Sequence, residues 1–363
     1  MNLHAPALCR IRAITAFVSL TPDQTAWQHA LTDAKRQCDR LAAAFARADY
    51  TVQSVRIVAN PFGEYLDTTS PAAAKQGLAH IQRILSALNQ NGLRIRFAIG
   101  EARSVAEIAL LPEIIRDYGD LANACVNIAA DESGIPDHAQ IARCTAAIQK
   151  IARITPRGEG NFNFTVNYNC PPLIPYFPAG YHHDAHGSLV VGLETPDLLA
   201  AALCALNDQP ADPGDYQRAA YHAMHRALQH HTDAVQAIIA TALDDGWHYA
   251  GMDTSAAPSK NCTSMAEIYR LLRVPHFGAS GSIAASALLT YSSVCGIGLD
   301  TVPIPGDTPA EKINAIMADT AAMAYRLNKP LTVRLFPVPG LNAGDITRFT
   351  SDDLCNCAVL AVP

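Results

Sequence analysis

PAAAKQGLAHIQRILSALNQNGLRIRFAIG, residues 71–100, reads as a helix handed directly to a strand. Pro71 suits a first helical turn, apolar residues recur every three or four positions, and Gly92 falls just past the end. LRIRFAIG (93–100) then has the short, apolar, β-branched composition of a strand. The same unit repeats outward in both directions. Upstream lie the strands IRAITAFVSL (11–20) and TVQSVRIVA (51–59), separated by a helical LTDAKRQCDRLAAAFARA. Downstream lie ANACVNIAA (122–130), the helix PDHAQIARCTAAIQKIARI, NFNFTVNYN (161–169) and SLVVGLE (188–194). A long helix over 216–243 leads to WHYAGMD (247–253), and strands return at LDTVPIP (299–305), LTVRLFPV (331–338) and CAVLAVP (357–363).

Parallel neighbours need a crossover, and a helix supplies it, so this alternation implies an α/β fold with a mostly parallel sheet and helices outside. A count of about ten strands favours a closed α/β barrel or one large wound sheet. Neither an internal repeat nor a linker divides the chain, and NDQPADPGD (207–215) is its clearest loop. A single domain over residues 1–363 is expected.

Composition narrows the function. Hydrophobic residues make up 49% and charged residues 17%, so much of the chain must be buried. The net charge of −6 and the lack of any basic block argue against nucleic acid as a partner. No basic amphipathic helix marks a membrane surface, and no apolar run reaches the ~18 residues of a span. Arg10 and Arg12 fall where a signal peptide would be apolar. A cytoplasmic protein with a small-molecule ligand is the expectation. The low charge content also leaves room for a self-association interface, hence a homo-oligomer. The ten cysteines are scattered without a CxxC pair and read as free thiols.

In parallel α/β folds, ligands bind at the carboxyl ends of strands. That rule selects GEARS (100–104), DESG (131–134), the loop from Asn167 to Gly187, DTSAAPSKNCTS (253–264) and GDTPAE (306–311). Within the longest of these, YHHDAHG places His182, His183, Asp184 and His186 between Gly180 and Gly187. Three readings stay open for it: a divalent-metal loop using His182, Asp184 and His186, one catalytic histidine, or a polar turn before a strand. Asp253 is either a base or ligand, or the head of an Asx-turn with Ser255. Ser264 is either a substrate contact or the N-cap of SMAEIYRLL, with Glu267 completing a capping box. GASGSIAASALL (278–289) is a glycine-rich helix entry suited to an anion or to close packing. Cys295 reads as a buried thiol, and His222 and His225 as surface residues of the long helix.

Several stretches, in order along nearly the whole chain, resemble a widespread family of cytosolic proteins catalogued as domain of unknown function 711. They are IRAITAFVSL; ACVNIAADESGI, with Asn127, Ser133 and Gly134; PYFPAGYH, ending at His182; GMDTSAAPS with CTSMAEI, carrying Asp253, Ser255, Pro258 and Ser264; CGIGLDTVPIPGDTPAEKINAIMAD, carrying Cys295, Gly298, Asp300, Asp307 and Asp319; and KPLTVRLFP. The resemblance implies a fold similar to the ten-stranded α/β barrel of glycyl radical enzymes such as pyruvate formate-lyase, without their radical motif. The chain departs from the family in having Ser280 where a histidine is common. It also runs on directly between Leu289 and Tyr291, where relatives carry a glycine-rich insertion. Of the histidine loop only His182 matches.

These readings together point to an enzyme acting on a small polar metabolite. His182 would serve as acid or base with Asp253 as partner, and Asn127, Asn167, Ser255 and Ser264 would orient the substrate. Lyase, isomerase or hydrolase chemistry suits that set. A metal enzyme built on the histidine loop and a non-catalytic sensor or carrier are the alternatives.

Overall fold

Among the residues described, nine strands form one sheet. In this computed structural model those residues are 2–208, 215–257, 259, 261–292 and 299–362, with the backbone alone at 290–292. The strands are β1 (Arg10–Val18), β2 (Val55–Ala59), β3 (Ile95–Glu101), β4 (Asn123–Ile128), β5 (Phe164–Tyr168), β6 (Ser188–Glu194), β7 (His248–Asp253), β8 (Leu299–Pro305) and β9 (Leu331–Val338). Their order is β7-β6-β1-β2-β3-β4-β5-β9-β8. Strands β1 to β5 run parallel and in sequence. β6 joins β1 and β9 joins β5 antiparallel, while β7 and β8 follow β6 and β9 in parallel.

The crossovers are the expected helices: α1 (Trp27–Arg47), α2 (Pro71–Leu88), α3 (Val105–Tyr118) and α4 (His138–Ile154). Their starts have a local cause. Ser70 accepts the amide of Ala73 ahead of Pro71, Ser104 and Glu107 close a full capping box, and Asp137 accepts the amide of Gln140. Each satisfies a donor that the first helical turn leaves unpaired. Helices α5 (Pro196–Asn207), α6 (Tyr216–Ala242), α7 (Met265–Leu271), α8 (Ser282–Ser292) and α9 (Ala310–Leu327) complete the chain.

The two faces of the sheet differ in chemistry. Ile14, Ala16, Ile57, Phe97, Val126, Val166, Val191 and Val333 point into the main core shared with the helices. Side chains alternate along a strand, so the other face carries Thr15 and Phe17 of β1, Arg56 of β2, Arg96 of β3, Asn127 of β4, Asn167 of β5 and Arg334 of β9. Two small apolar clusters lie there, one of Phe17, Val58, Ala98 and Val190 under Leu173 and Phe177, the other of Phe336 and Val338 of β9 with Phe349 and Leu354. The sheet curls around this polar face. Asp300 of β8 interacts electrostatically with Arg12 of β1, six places away in strand order. A flat sheet would hold them roughly 29 Å apart at about 4.8 Å per strand. Asp300 is 56% exposed, yet desolvation acts strongly on it. A group can be open to solvent and crowded at once when it lines a concavity.

The tenth expected strand is a correction. CAVLAVP (357–363) forms only an isolated bridge between Ile346 and Ala358, and the amide of Leu360 donates to Pro303 O at 2.9 Å. Pro303 and Pro305 have no N–H to offer the outer edge of β8, so no ladder can grow there. Residues 209–214 of the predicted loop, together with Pro258, Lys260, Cys295 and Gly298, lie outside the described residues. The described cysteines are free thiols. Among the described residues, no helix is long and apolar enough to cross a membrane.

Candidate functional site

The loop from Asn169 to Gly187 folds back over the polar face of the sheet. Asn167 Nδ2 donates to Ala179 O at 2.9 Å, the amide of Leu173 donates to Tyr181 O at 3.0 Å, and the amide of His182 donates to Ala59 O at 3.3 Å. These bonds tie the loop to the carboxyl ends of β5 and β2. The flanking glycines are needed for close approach. A Cβ at Gly180 would sit 2.8 Å from Ile174 O and 3.2 Å from Phe17, and one at Gly187 would meet the Trp247 ring at 2.9 Å.

His182 is fully buried beside Phe17, with ring centroids 6.3 Å apart. Neither ring nitrogen has a partner in good hydrogen-bond geometry, although backbone groups of His186 and Asp184 lie near enough to act weakly on the ring. Burial pushes its pKa below the usual value, against a weaker upward pull from Asp184 and the neighbouring backbone. The imidazole is therefore neutral at pH 7.

The preceding residue, Tyr181, faces a polar chain across the ends of β3, β4 and β5. Asn167 Nδ2 donates to Asn127 Oδ1 at 3.0 Å, and Asn127 Nδ2 donates to Glu101 Oε1 at 2.7 Å. Arg103 Nε donates to the other oxygen of Glu101 at 2.9 Å, and Arg103 also pairs with Glu64 at 2.5 Å. Burial, and then the Glu101 carboxylate, raise the Tyr181 phenol, so it stays protonated, and its hydroxyl donates to Cys170 O at 3.3 Å. Asn167 is fully buried and its Oδ1 has no donor. The fold thus brings Asn127 and Asn167 together. It adds Glu101 and Tyr181, which sequence reasoning missed.

Other expected members do not join this cluster. His183, Asp184 and His186 are exposed, with His183 Nδ1 3.8 Å from the Asp184 carboxylate. Among the described residues, no three His, Cys, Asp or Glu side chains converge to hold a metal ion. His182 points inward while its three neighbours face outward, so the adjacency is in sequence only.

Asp253 lies at the other end of the sheet. It pairs in register with Gly192, which pairs with Ala13, whereas His182 binds Ala59, the partner of Val18. Five strand positions separate the two levels, roughly 16 Å at about 3.3 Å per residue, so Asp253 is not the hydrogen-bond partner of His182. Asp253 instead accepts the Ser255 amide at 2.9 Å, as in an Asx-turn. Burial raises its pKa, opposed by Ser255, Arg12 and Arg56.

Ser255 is buried, and Ser264 is the N-cap of α7, accepting the amide of Glu267 at 3.2 Å. Glu267 bonds Arg270 and leaves the capping box half closed. Asp300 pairs with Arg334. His222 and His225 are exposed on α6. Two surface cavities, of about 450 Å³ beside Asp33 and Trp247 and about 260 Å³ beside Tyr216 and Arg273, are lined by neither His182 nor the asparagines. His182 has no solvent contact, so a ligand reaches it only if the residues over it move.

The molecule is a mixed α/β protein whose curled sheet turns a polar face, covered by one loop, away from its helices. The sequence matches the family described as Uncharacterised ACR (DUF711) over residues 5–292 and 287–351, and the chain belongs to that family. The two matched segments meet at the point where the relatives' glycine-rich insertion is expected to be missing.

Similar proteins carry the name UPF0210 protein. That of Pyrobaculum arsenaticum is 28% identical over 251 residues, 55% of each chain. That of Thermoanaerobacter sp. (strain X514) is 27% identical over 77% of this chain and 70% of its own. That of Pyrobaculum islandicum is 25% identical over 86% of this chain and 78% of its own. The aligned stretch thus spans just over half the length of the first of these relatives.

Proposed function

We propose that this chain is a cytosolic enzyme that acts on a small polar metabolite by proton transfer at His182. The observation that carries this reading is a fully buried imidazole with neither ring nitrogen used. A buried polar group without a partner costs stability. A neutral imidazole held that way is ready to take a proton from a bound molecule. Asn127, Asn167 and Tyr181 supply polar contacts at the same strand ends, and Glu101 fixes Asn127. The covering loop would open to admit substrate and close to exclude water. The curl of the sheet, and the shared direction of its edge strands β7 and β8, support a barrel-like closure of the nine described strands as the setting. The proline-blunted edge of β8 means that side-chain contacts would finish such a closure.

The test is untargeted mass spectrometry of a metabolite extract incubated with the wild-type protein or with His182→Gln. The expected result is a substrate–product pair that the wild type generates and the variant generates about 100-fold more slowly or worse. Its kcat/KM should fall in acid, with a midpoint below the ordinary histidine value of about 6.5. Turnover retained in the variant would refute the assignment. Metabolite capture without conversion would make the protein a sensor or carrier instead.

A further inference from the structure

The amino end of the parallel strands holds a second cluster that the proton-transfer reading does not use. Arg56 and Arg96 are direct register partners on β2 and β3, so their side chains leave the same face of the sheet. Arg12 of β1 and Arg334 of β9 lie close enough to repel Arg56 electrostatically. Three of these four guanidiniums are occupied. Arg96 makes a two-pronged pair with Asp353 at 2.6 and 2.7 Å. Arg334 binds Asp300 and the carbonyl of Phe162, and Arg12 donates to the carbonyl of Ala257.

Arg56 differs from the other three. Among the described residues it makes no ion pair, and its Nε has neither solvent contact nor an acceptor. Its one close aromatic neighbour is Phe177 of the covering loop, with the guanidinium carbon 5.3 Å from the ring centroid. Asp253 attracts it only at a distance, and that carboxylate is already turned to Ser255. Burial, then the neighbouring Arg12 and Arg96, push Arg56 down to about 9, so it remains charged at neutral pH. A crowded cation with no counter-ion in contact is unfavourable, and guanidinium geometry matches an oxyanion with two oxygens side by side.

We infer that Arg56, flanked by Arg12 and walled by Phe177, is the anchor of a binding site for a small oxyanion, a carboxylate or a phosphate. The site stands independently of His182, because Phe17, Val58 and Ala98 pack between the two levels.

The experiment is thermal unfolding and calorimetric titration of the full chain with inorganic phosphate and with malonate, against sodium chloride of equal ionic strength. A saturable rise in Tm with either anion is expected, since a ligand that binds only the folded state stabilises it. Response to phosphate alone or to malonate alone supports the site and fixes its anion class. Arg56→Gln should weaken binding about ten-fold or more, and Arg56→Lys less. Arg94→Gln, at the exposed pair with Asp120, should change nothing. Without anion, Arg56→Gln should be at least as stable as the wild type, whereas a purely structural arginine would be missed. No saturable response to either anion, an undiminished response in Arg56→Gln, or failure of that variant to fold would each overturn the proposal.

Discussion

Two histidines of this chain, His231 and His182, are completely buried, and their surroundings are opposite. His231 on α6 meets the Tyr50 hydroxyl through Nδ1 at 2.8 Å and Leu3 O through Nε2 at 3.0 Å. Both nitrogens are used, and the tautomer follows: Nε2 carries the proton it donates, and Nδ1 accepts from the phenol. His182, under the covering loop, uses neither nitrogen. Burial lowers the pKa of both. Burial alone therefore does not separate a structural histidine from a reactive one; the hydrogen-bond inventory does.

The sharpest way to break that contrast is replacement by leucine. His231→Leu removes two hydrogen bonds and strands a buried hydroxyl and a partly buried carbonyl. Each orphaned group costs about 1–3 kcal/mol, so a loss of about 3 kcal/mol is expected in urea unfolding. His182→Leu strands no such partner and should change stability by less than about 1 kcal/mol while abolishing turnover. Equal losses in the two variants would mean that His182 is as structural as His231.

Acid sharpens the contrast further. The folded pKa of His231 lies below the unfolded value of about 6.5. As pH falls through that value, the unfolded chain takes up the proton first. The contribution of His231 to stability is thus complete above about pH 6.5 and declines below it, by at most about 1.4 kcal/mol per pH unit for one site. His4, stacked on His230 with centroids 3.9 Å apart, sits beside this contact, and both act to lower the His231 pKa. Wild-type stability should fall between pH 6.5 and pH 5, and the part of that slope due to His231 should vanish in His231→Leu, as measured by urea midpoints across the range.

The fold was largely legible because helix and strand differ in period and the chain alternates them. The misread segment, CAVLAVP, has strand composition, but its neighbouring edge on β8 lacks the donors to pair with it. Asn127 and Asn167 were legible as a pair, since each follows a valine in its strand and adjacent parallel strands bring equal positions together. His182 stood out, but so did His183 and His186, and only the loop's path separates the buried ring from the exposed ones. The arginine cluster was not legible. Arg56 and Arg334 each stand alone in an apolar run, Arg12 and Arg96 each follow another arginine by two places, and each reads as one charge at a strand. The signal was their repetition just ahead of similar apolar stretches, RAITAF, RIVA, RFAIG and RLFPV, in a chain with only 17% charged residues. Sheet pairing turns four separate charges into one field.

The smallest expected effect belongs to Ser264, which drew two readings from the sequence. Its hydroxyl accepts the amide of Glu267 at the start of α7, and the side chain is exposed. That hydroxyl is already engaged by its own helix. Ser264→Ala should cost about 0.5–1 kcal/mol, the low end for a cap, because α7 spans only seven residues. Ser264→Asp should restore it, since aspartate caps equally well and favours the positive end of a helix. Neither change should alter turnover at His182 or anion binding at Arg56. If Ser264→Ala instead lowered turnover at unchanged stability, a polar group with its hydrogen bond in place would be acting on substrate. The distinction between used and unused polar atoms would then fail at its simplest instance.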